Sequence, residues 1–325
     1  NGAFYLQNKE KINKMLKNHI KFIEKIINNN YWTNWLGLSR TLLAISLLLT
    51  LILNNNLTLF YTGIQNENYP EFNNLELNLF SWFNNLETGV IVSIVLLIPV
   101  ILGVFPRYTC IPHWIVTYSF SITCSATDGG DQVASIITLL LIPICLFDDR
   151  KWHWSKKQTE KPFIAKTIAT LTYYLLCIQI FIIYFFASVG KFKVDEWRNG
   201  TAIYYWLTQP LFGATNFFKP FVDVVLFSPI LTALLNWSVL FVELIIAFTI
   251  FSTNSKYRKT VLIISISFHF FILLFLGIVS FSIIMTSCLI LFLISKNNNY
   301  EYRNFNFNNI ISNFNNIFSF PTPKN

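Results

Sequence analysis

Three ionisable side chains that could transfer protons lie within or at the end of long apolar stretches. Glu243 lies near the middle of one stretch, His269 near the middle of the next, and Lys191 follows the aromatic residues 181–186. An ionisable group at the centre of a membrane span costs about 2.5–3.5 kcal/mol on insertion scales, so each needs a partner or a purpose. Carboxylates, imidazoles and partly desolvated amines are typical acid–base groups. We therefore predict Lys191, Glu243 and His269 as catalytic candidates.

The same side chains also have structural interpretations, and the sequence leaves both open. Glu243 can pair with His269 across a short antiparallel hairpin, either as a proton relay or as a hydrogen bond that clamps two helices. Lys191 can be an interfacial anchor. Arg40, a turn and a half into the first apolar stretch, either snorkels to the headgroups or forms a buried pair, and Lys166 is expected to snorkel.

A polar segment at residues 125–132 (SATDGGDQ) supplies two further carboxylates. Its paired glycines allow positive φ and a tight reversal. Asp128 and Asp131 can either cap the next helix or accept hydrogen bonds in a polar pocket. Together with Trp197, which follows Lys191 closely, they are our substrate-binding candidates. The segment offers too few oxygen ligands for a calcium loop, and no cysteine or histidine motif has metal-ligand spacing, so no metal site is predicted.

Composition indicates the scaffold that must position these groups. Hydrophobic residues make up 54% of the 325 residues, charged residues 12%, and the mean hydropathy is +0.49. Soluble domains carry about 25% charged residues, and disordered chains are poor in hydrophobic ones, so both classes are excluded. We predict an all-α, polytopic transmembrane bundle. The net charge of +8 then reflects which side of the membrane the Lys and Arg occupy, and no nucleic-acid partner is expected.

Eight apolar runs approach the length of about 20 residues that a bilayer core requires. They are residues 35–53, 88–105, 108–126, 133–147, 162–190, 229–251, 261–277 and 279–295. As a single helix the last two would measure about 52 Å, so a break near residues 277–280 is predicted. The fourth run is short and contains Pro143, which is typical of a half-span packed against other helices.

Lys and Arg accumulate in alternate separators between these runs. Six Lys precede residue 35, whereas residues 54–87 contain neither Lys nor Arg. The positive-inside rule then places both termini in the cytoplasm, with residues 54–87, 127–132 and 191–228 outside. The predicted division is a basic amphipathic helix on the inner surface (1–34), a transmembrane domain (35–295) and an Asn-rich cytoplasmic tail (296–325).

Several short motifs resemble those of a known family. Residues 118–121 (YSFS), 128–132 (DGGDQ), 139–144 (LLLIPI) and 149–154 (DRKWHW) resemble the sporulation-delaying protein B family, the membrane maturation components of bacterial peptide-toxin systems. Lys191 with residues 197–205 (WRNGTAIYY), and Phe268-His269 with residues 281–285 (FSIIM), resemble the wider HTTM group, which also contains the vitamin K-dependent γ-carboxylases. The resemblance covers residues 35–295.

The resemblance implies a multi-pass protein of the bacterial cytoplasmic membrane that helps to convert a secreted pro-toxin into an active antimicrobial peptide. Its implied partners are membrane lipid, the peptide pro-toxin and a small protein from the same operon. In the carboxylases a lysine after the corresponding span acts as base toward a reduced quinone, and Lys191 matches that position, with Lys193 competing for it. The alternatives are a quinone-dependent carboxylase or oxidase with a reduced quinone as cofactor, and a non-catalytic immunity or transport protein. Whether the chain is an enzyme stays open.

Overall fold

The computed structural model describes residues 21, 23, 24, 26–60, 77–83, 85–155, 160–210, 213, 214 and 217–294. Within these residues every named element is a helix, and the one isolated β-bridge pairs Val104 with Trp152. The predicted all-α class is therefore confirmed. Most of the predicted inner-surface helix and all of the Asn-rich tail lie outside the described residues.

Long apolar helices dominate the described chain. In chain order the helices are α1 (Asn34–Leu53), α2 (Asn56–Phe60), α3 (Leu86–Leu102), α4 (Pro106–Thr123), α5 (Gly129–Leu146), α6 (Phe163–Lys191), α7 (Asp195–Arg198), α8 (Ala202–Thr208), α9 (Lys219–Leu226), α10 (Pro229–Phe248), α11 (Ser255–Leu276) and α12 (Val279–Leu293). Five of them (α1, α5, α6, α10 and α11) are long and apolar enough to cross a membrane, and α3 and α12 are shorter apolar helices. This pattern is that of a multi-pass membrane protein.

Local sequence explains where several helices begin and end. The Thr33 side chain accepts a hydrogen bond from the N–H of Leu36 and caps the start of α1. At the end of α11, Gly277 adopts a left-handed conformation with φ 68°, which glycine reaches without steric cost. The apolar run of residues 261–295 is consequently divided between α11 and α12, as predicted.

The fourth apolar run is a full helix and not the predicted half-span. α5 has 18 residues because Asp128 and Asp131 form a capping box that starts the helix at Gly129, ahead of the apolar run. Gly129 and Gly130 lie in the first helical turn and do not use the positive φ that glycine allows.

The final helix, α12, occupies the centre of the bundle. Its residues 287–293 are all buried, so this part of the helix is enclosed on every side. It packs against α1, α5, α6 and α11, and the Ser287 hydroxyl donates to the Ser39 carbonyl oxygen at 2.9 Å. Beside this core, α6 and α10 pack along each other, and that contact positions the candidate catalytic residues.

Candidate functional site

Lys191 and Glu243 form an ion pair between α6 and α10. Lys191 is the last residue of α6, and its Nζ lies 2.5 and 2.7 Å from the two carboxylate oxygens of Glu243. Nζ also donates to the carbonyl oxygen of Ala187, one turn earlier, at 3.2 Å. The two side chains are only 22% and 9% exposed. Two of the predicted catalytic candidates are therefore in direct contact, and their opposite charges compensate each other inside the bundle.

The predicted pairing of Glu243 with His269 is wrong. Glu243 faces α6, where Lys191 supplies a full positive charge that compensates a buried carboxylate. His269, on α11, is hydrogen-bonded to α6 as well, with its Nε2 2.8 Å from the hydroxyl oxygen of Tyr184. Both candidates consequently bond to α6 and not to each other.

One face of α6 carries both polar pairs. Tyr184, Ser188 and Lys191 follow each other at spacings of four and three residues, which places them on successive turns of the same face. Ser188 lies between the pairs, and its hydroxyl donates to the Leu240 carbonyl oxygen of α10 at 3.1 Å. Tyr184 and His269 are fully buried, and Nδ1 of His269 has no hydrogen-bond partner among the described residues. A phenol–imidazole pair and an amine–carboxylate pair are thus about 10 Å apart along the helix axis.

Trp197 covers the ion pair from α7. Its ring centroid lies 5.3 Å from Nζ of Lys191, within the range of a cation–π interaction. The Trp197 carbonyl oxygen accepts a hydrogen bond of 2.8 Å from the side-chain amide of Asn236 on α10. Gly200 has φ 81° and lets the backbone approach Ala233 closely. A Cβ at position 200 would lie only 3.1 Å from the methyl group of Ala233. The segment after α6 is therefore fastened to α10, with Trp197 held against Lys191.

Asp128 and Asp131 occupy a different place in the bundle. Asp128 Oδ1 accepts from the backbone N–H groups of Gly130 and Asp131 at 2.7 and 3.0 Å, and Asp131 Oδ2 accepts from the Asp128 N–H at 3.2 Å. The second oxygen of Asp128 accepts from the Ser280 hydroxyl at 2.7 Å. The capping interpretation is therefore confirmed, and the cap also ties α5 to the start of α12. Within the described chain, no hydrogen bond or ion pair joins either aspartate to Lys191 or Glu243.

Sequence reasoning missed the packing of residues 148–153, which follow α5. Asp148 and Arg150 form a buried bidentate pair with distances of 2.8 and 2.7 Å, and Arg150 Nη1 donates to the carbonyl oxygen of His153 at 2.7 Å. The His153 ring is wedged between two helix ends: a Cβ on Gly37 or Gly103 would lie 2.6 or 2.3 Å from it. The available signal was the Asp148-x-Arg150 spacing, which overlaps the DRKWHW motif. In the sequence this motif indicated only a family resemblance.

Burial, together with the positive charges of Arg40 and Arg150, lowers the pKa of His153 to about 3. The imidazole is therefore neutral at physiological pH. Beside this loop lies a pocket of about 250 Å³, lined by Phe105, Arg107, Tyr108 and residues 148–151. Because Lys191 ends α6 and this loop precedes its start, the pocket lies at the opposite end of α6 from the Lys191–Glu243 pair.

Tyr184 was also missed as a functional candidate. It lies within the aromatic residues 181–186, where its hydroxyl is the one polar group. Tyr184 precedes Lys191 by seven residues, about two turns, and this spacing was the signal that could have identified it. Phe181 and Phe185 of the same run stack on each other at 5.4 Å and pack against Phe248 of α10.

Comparison with known proteins agrees with the fold and the motifs. A model of the HTTM domain matches residues 28–296. The chain is 35% identical over 292 residues to the uncharacterized protein YitO of Bacillus subtilis (strain 168), covering 86% of this chain and 91% of that protein. It is 34% identical over 267 residues to sporulation-delaying protein SdpB of the same organism, covering 81% and 82%. No solved structure matches the chain significantly. The HTTM match includes the whole described bundle and all six candidate residues, and the chain therefore belongs to the HTTM domain family.

Proposed function

We propose that the chain crosses the bacterial cytoplasmic membrane eight times, through α1, α3, α4, α5, α6, α10, α11 and α12, with both termini in the cytoplasm. In support, Arg107 lies 3.6 Å from Asp149, which also pairs with Lys161. These cations come from the separators after α3 and after α5. Helices that alternate in direction place both separators on one side, as the positive-inside rule requires. The division into residues 1–34, 35–295 and 296–325 belongs to the same proposal.

The function that we propose is a role in maturing a secreted antimicrobial peptide. The chain shares 34% identity with a protein named for delaying sporulation, and its motifs resemble the toxin-maturation family. The observation that carries a catalytic version is the pair of polar contacts on one face of α6, Lys191 with Glu243 and Tyr184 with His269. Ionisable groups at this depth are expensive and are usually functional. The peptide pro-toxin and a small operon-encoded protein are the proposed partners.

In this proposal Lys191 is the base, and Glu243 holds its amino group in place through both carboxylate oxygens. Trp197 limits the access of water to Nζ, because its ring covers the pair. Tyr184 and His269 form a second proton-transfer pair, in which Nδ1 of the imidazole is available to a substrate group. Asp128 and Asp131 are proposed to contact the substrate at the start of α5.

The test is production of mature peptide in a host strain that lacks the native gene and carries each variant. Lys191→Ala is expected to abolish mature peptide in the supernatant, measured by mass spectrometry and growth inhibition. Lys193→Ala is the matched control, since Lys193 is exposed and lies two residues away, and it should retain full production. Unchanged peptide from the Lys191, Glu243 and His269 variants would exclude the catalytic version. The same two lysine variants decide which lysine matches the family position.

A non-catalytic immunity or transport role is the second candidate. It is favoured by the ion pair of Lys191 and Glu243, since two buried charges that neutralise each other need no catalytic role to explain them. Expression of the chain in toxin-sensitive cells tests it. Survival of cells that express the wild-type chain would establish immunity. Equal survival with a Lys191→Met/Glu243→Leu variant would show that immunity does not need the ion pair. Cells that stay sensitive would exclude immunity.

A quinone-dependent carboxylase or oxidase is the third candidate. The buried Nδ1 of His269 is a group that could hydrogen-bond a hydroxyl of a reduced quinone, which would supply redox chemistry when bound. The aromatic residues Phe181 and Phe185, in contrast, pack against Phe248 and are used for contact between α6 and α10. Purified protein that neither binds nor oxidises a reduced naphthoquinone would exclude this candidate.

A further inference from the structure

Arg40 of α1 is buried and has no counter-ion among the described residues. It is 2% exposed, its Nη2 donates to the Thr109 hydroxyl at 3.1 Å, and its Nη1 has no hydrogen-bond partner in this part of the chain. In the described part of the chain no carboxylate lies within ion-pair distance of it. The snorkelling interpretation of Arg40 is therefore wrong, and the buried-pair interpretation holds only with a neutral hydroxyl as partner.

The same bundle gives another buried arginine four backbone acceptors. Arg258, at the start of α11, donates to the carbonyl oxygens of Leu293 and Thr249 at 3.2 Å, of Ser252 at 3.4 Å, and of Phe292. A guanidinium group carries five donors and stays charged in proteins. An uncompensated buried charge is strongly unfavourable. The difference between Arg258 and Arg40 therefore points to an acceptor at Arg40 that the described part of the chain does not supply.

Another unpartnered polar atom lies on the face of α4 that Arg40 contacts. Among the described residues Nε2 of His113 lacks a partner, and His113 follows Thr109 by one turn on the same face of α4. His153 lies beside Arg40 as well, with its Nε2 3.4 Å from the hydroxyl of Thr41. Because that hydroxyl donates to the Ile101 carbonyl oxygen, Nε2 of the neutral imidazole carries the proton and Nδ1 is an acceptor. These side chains are almost completely buried. Helices α1 and α4 thus present unsatisfied groups to one region.

The carboxylates that lie nearest to His153 in sequence already have ionic partners. Asp148 is bonded through both oxygens to Arg150, and Asp149 pairs with Arg107 and Lys161. His153 is neutral because burial and the nearby arginines lower its pKa to about 3. Counting only residues that the structure describes, the region therefore holds one uncompensated positive charge, from Arg40.

We propose that Arg40 and His113 bind one small monovalent anion between α1 and α4, beside the loop that joins α5 to α6. A single negative charge would neutralise the guanidinium group, and the free guanidinium N–H would donate to it. A small size is required because the His153 ring already lies within van der Waals contact of Gly37 and Gly103. Formate, nitrate and chloride have the required charge and size. The proposal does not depend on the proposed function.

The test is binding of labelled formate and chloride to the purified full chain in detergent micelles, by equilibrium dialysis at constant ionic strength. Gluconate, which is too large for the site, replaces the tested anion in the reference buffer. We expect saturable binding of one anion per chain and a rise of several degrees in the midpoint of thermal unfolding. Arg40→Gln should weaken binding at least tenfold. Arg107→Gln is the matched control, because it removes an exposed positive charge near the same end of α4, and it should bind as the wild type does.

Two results would overturn the proposal. The first is no saturable binding of formate, nitrate or chloride to the wild-type chain, a measurement that needs no variant. The second is anion binding by Arg40→Gln with wild-type affinity. If Arg40→Gln does not fold, His113→Phe replaces it, and the expected result is again a loss of affinity that Arg107→Gln does not show.

Discussion

Lys191 reaches both carboxylate oxygens of Glu243 although 52 residues separate them in sequence. The contact joins the end of α6 to the middle of α10, the two helices whose packing positions the candidate site. Because each side chain compensates the charge of the other, removal of either one alone leaves an unpaired charge in a largely enclosed position. The pair therefore affects stability as well as any activity, and the two effects can be separated.

Glu243→Gln is expected to lower the free energy of unfolding by about 1–3 kcal/mol, less than for a fully buried pair because Lys191 retains some exposure. The double variant Lys191→Met/Glu243→Leu should recover most of this loss, since both charges are then absent. Thermal or denaturant unfolding in detergent measures both changes. A double variant that is as unstable as Glu243→Gln would show that the unpaired charge of Lys191 does not cause the loss of stability.

Tyr184→Phe is expected to destabilise the bundle by about 1–3 kcal/mol, because it leaves Nε2 of the buried His269 without its partner. The ring itself is retained, so packing changes little. Tyr174→Phe on the same helix is the matched control, since Tyr174 is exposed, and it should change stability by less than about 0.5 kcal/mol. Equal effects of the two variants on unfolding would contradict the assigned hydrogen bond.

Two adjacent glycines of the α5 start should respond in opposite directions to substitution by alanine. A Cβ on Gly130 would lie 2.8 Å from the backbone Cα of Phe281, so Gly130→Ala should cost about 1–3 kcal/mol. A Cβ on Gly129 meets nothing within 4 Å, and Gly129→Ala should be neutral or stabilise by up to about 1 kcal/mol. Unfolding midpoints of the two variants, compared with wild type, test the contact between α5 and α12.

Acid should destabilise the chain partly through His153. Its pKa falls from 6.5 to about 3 on folding, so below pH 6.5 the unfolded state binds a proton that the folded state does not. This residue alone then raises the unfolding equilibrium constant about tenfold for each pH unit between 6.5 and 3. His153→Gln should make the dependence of stability on pH shallower by about one proton in this range and leave it unchanged above pH 7. If the stability of His153→Gln changed with pH between 4 and 6 as steeply as that of the wild type, this role of His153 would be contradicted.

Much of the fold could be predicted because membrane helices are encoded locally. The capping residue Asp128 and the break at Gly277 follow from short-range rules that need no partner helix. The length of α5 was predicted wrongly because the capping box was recognised only as one alternative, and the polar residues 129–132 were assigned to a loop.

The pairing within the site could not be predicted, because the order in which helices pack is not a local property. The assumption that neighbours in sequence pair led from Glu243 to His269, whereas α10 places its carboxylate against α6. In the same way, the sequence does not indicate that Asp148 neutralises Arg150 in a buried pair. The chemistry of a residue type can be predicted from sequence, but the side chain that it contacts on another helix has to be observed in the structure.

The central position of α12 has a consequence for assembly. This helix is synthesised after every other helix described here, yet α1, α5, α6 and α11 surround it. The faces of these helices that contact α12 therefore lack their partner until the last helix is synthesised, and the bundle cannot reach its final packing before then. Chains that terminate shortly before residue 279 should accordingly be recognised as unfinished by membrane quality control, even though most of their helices are already inserted.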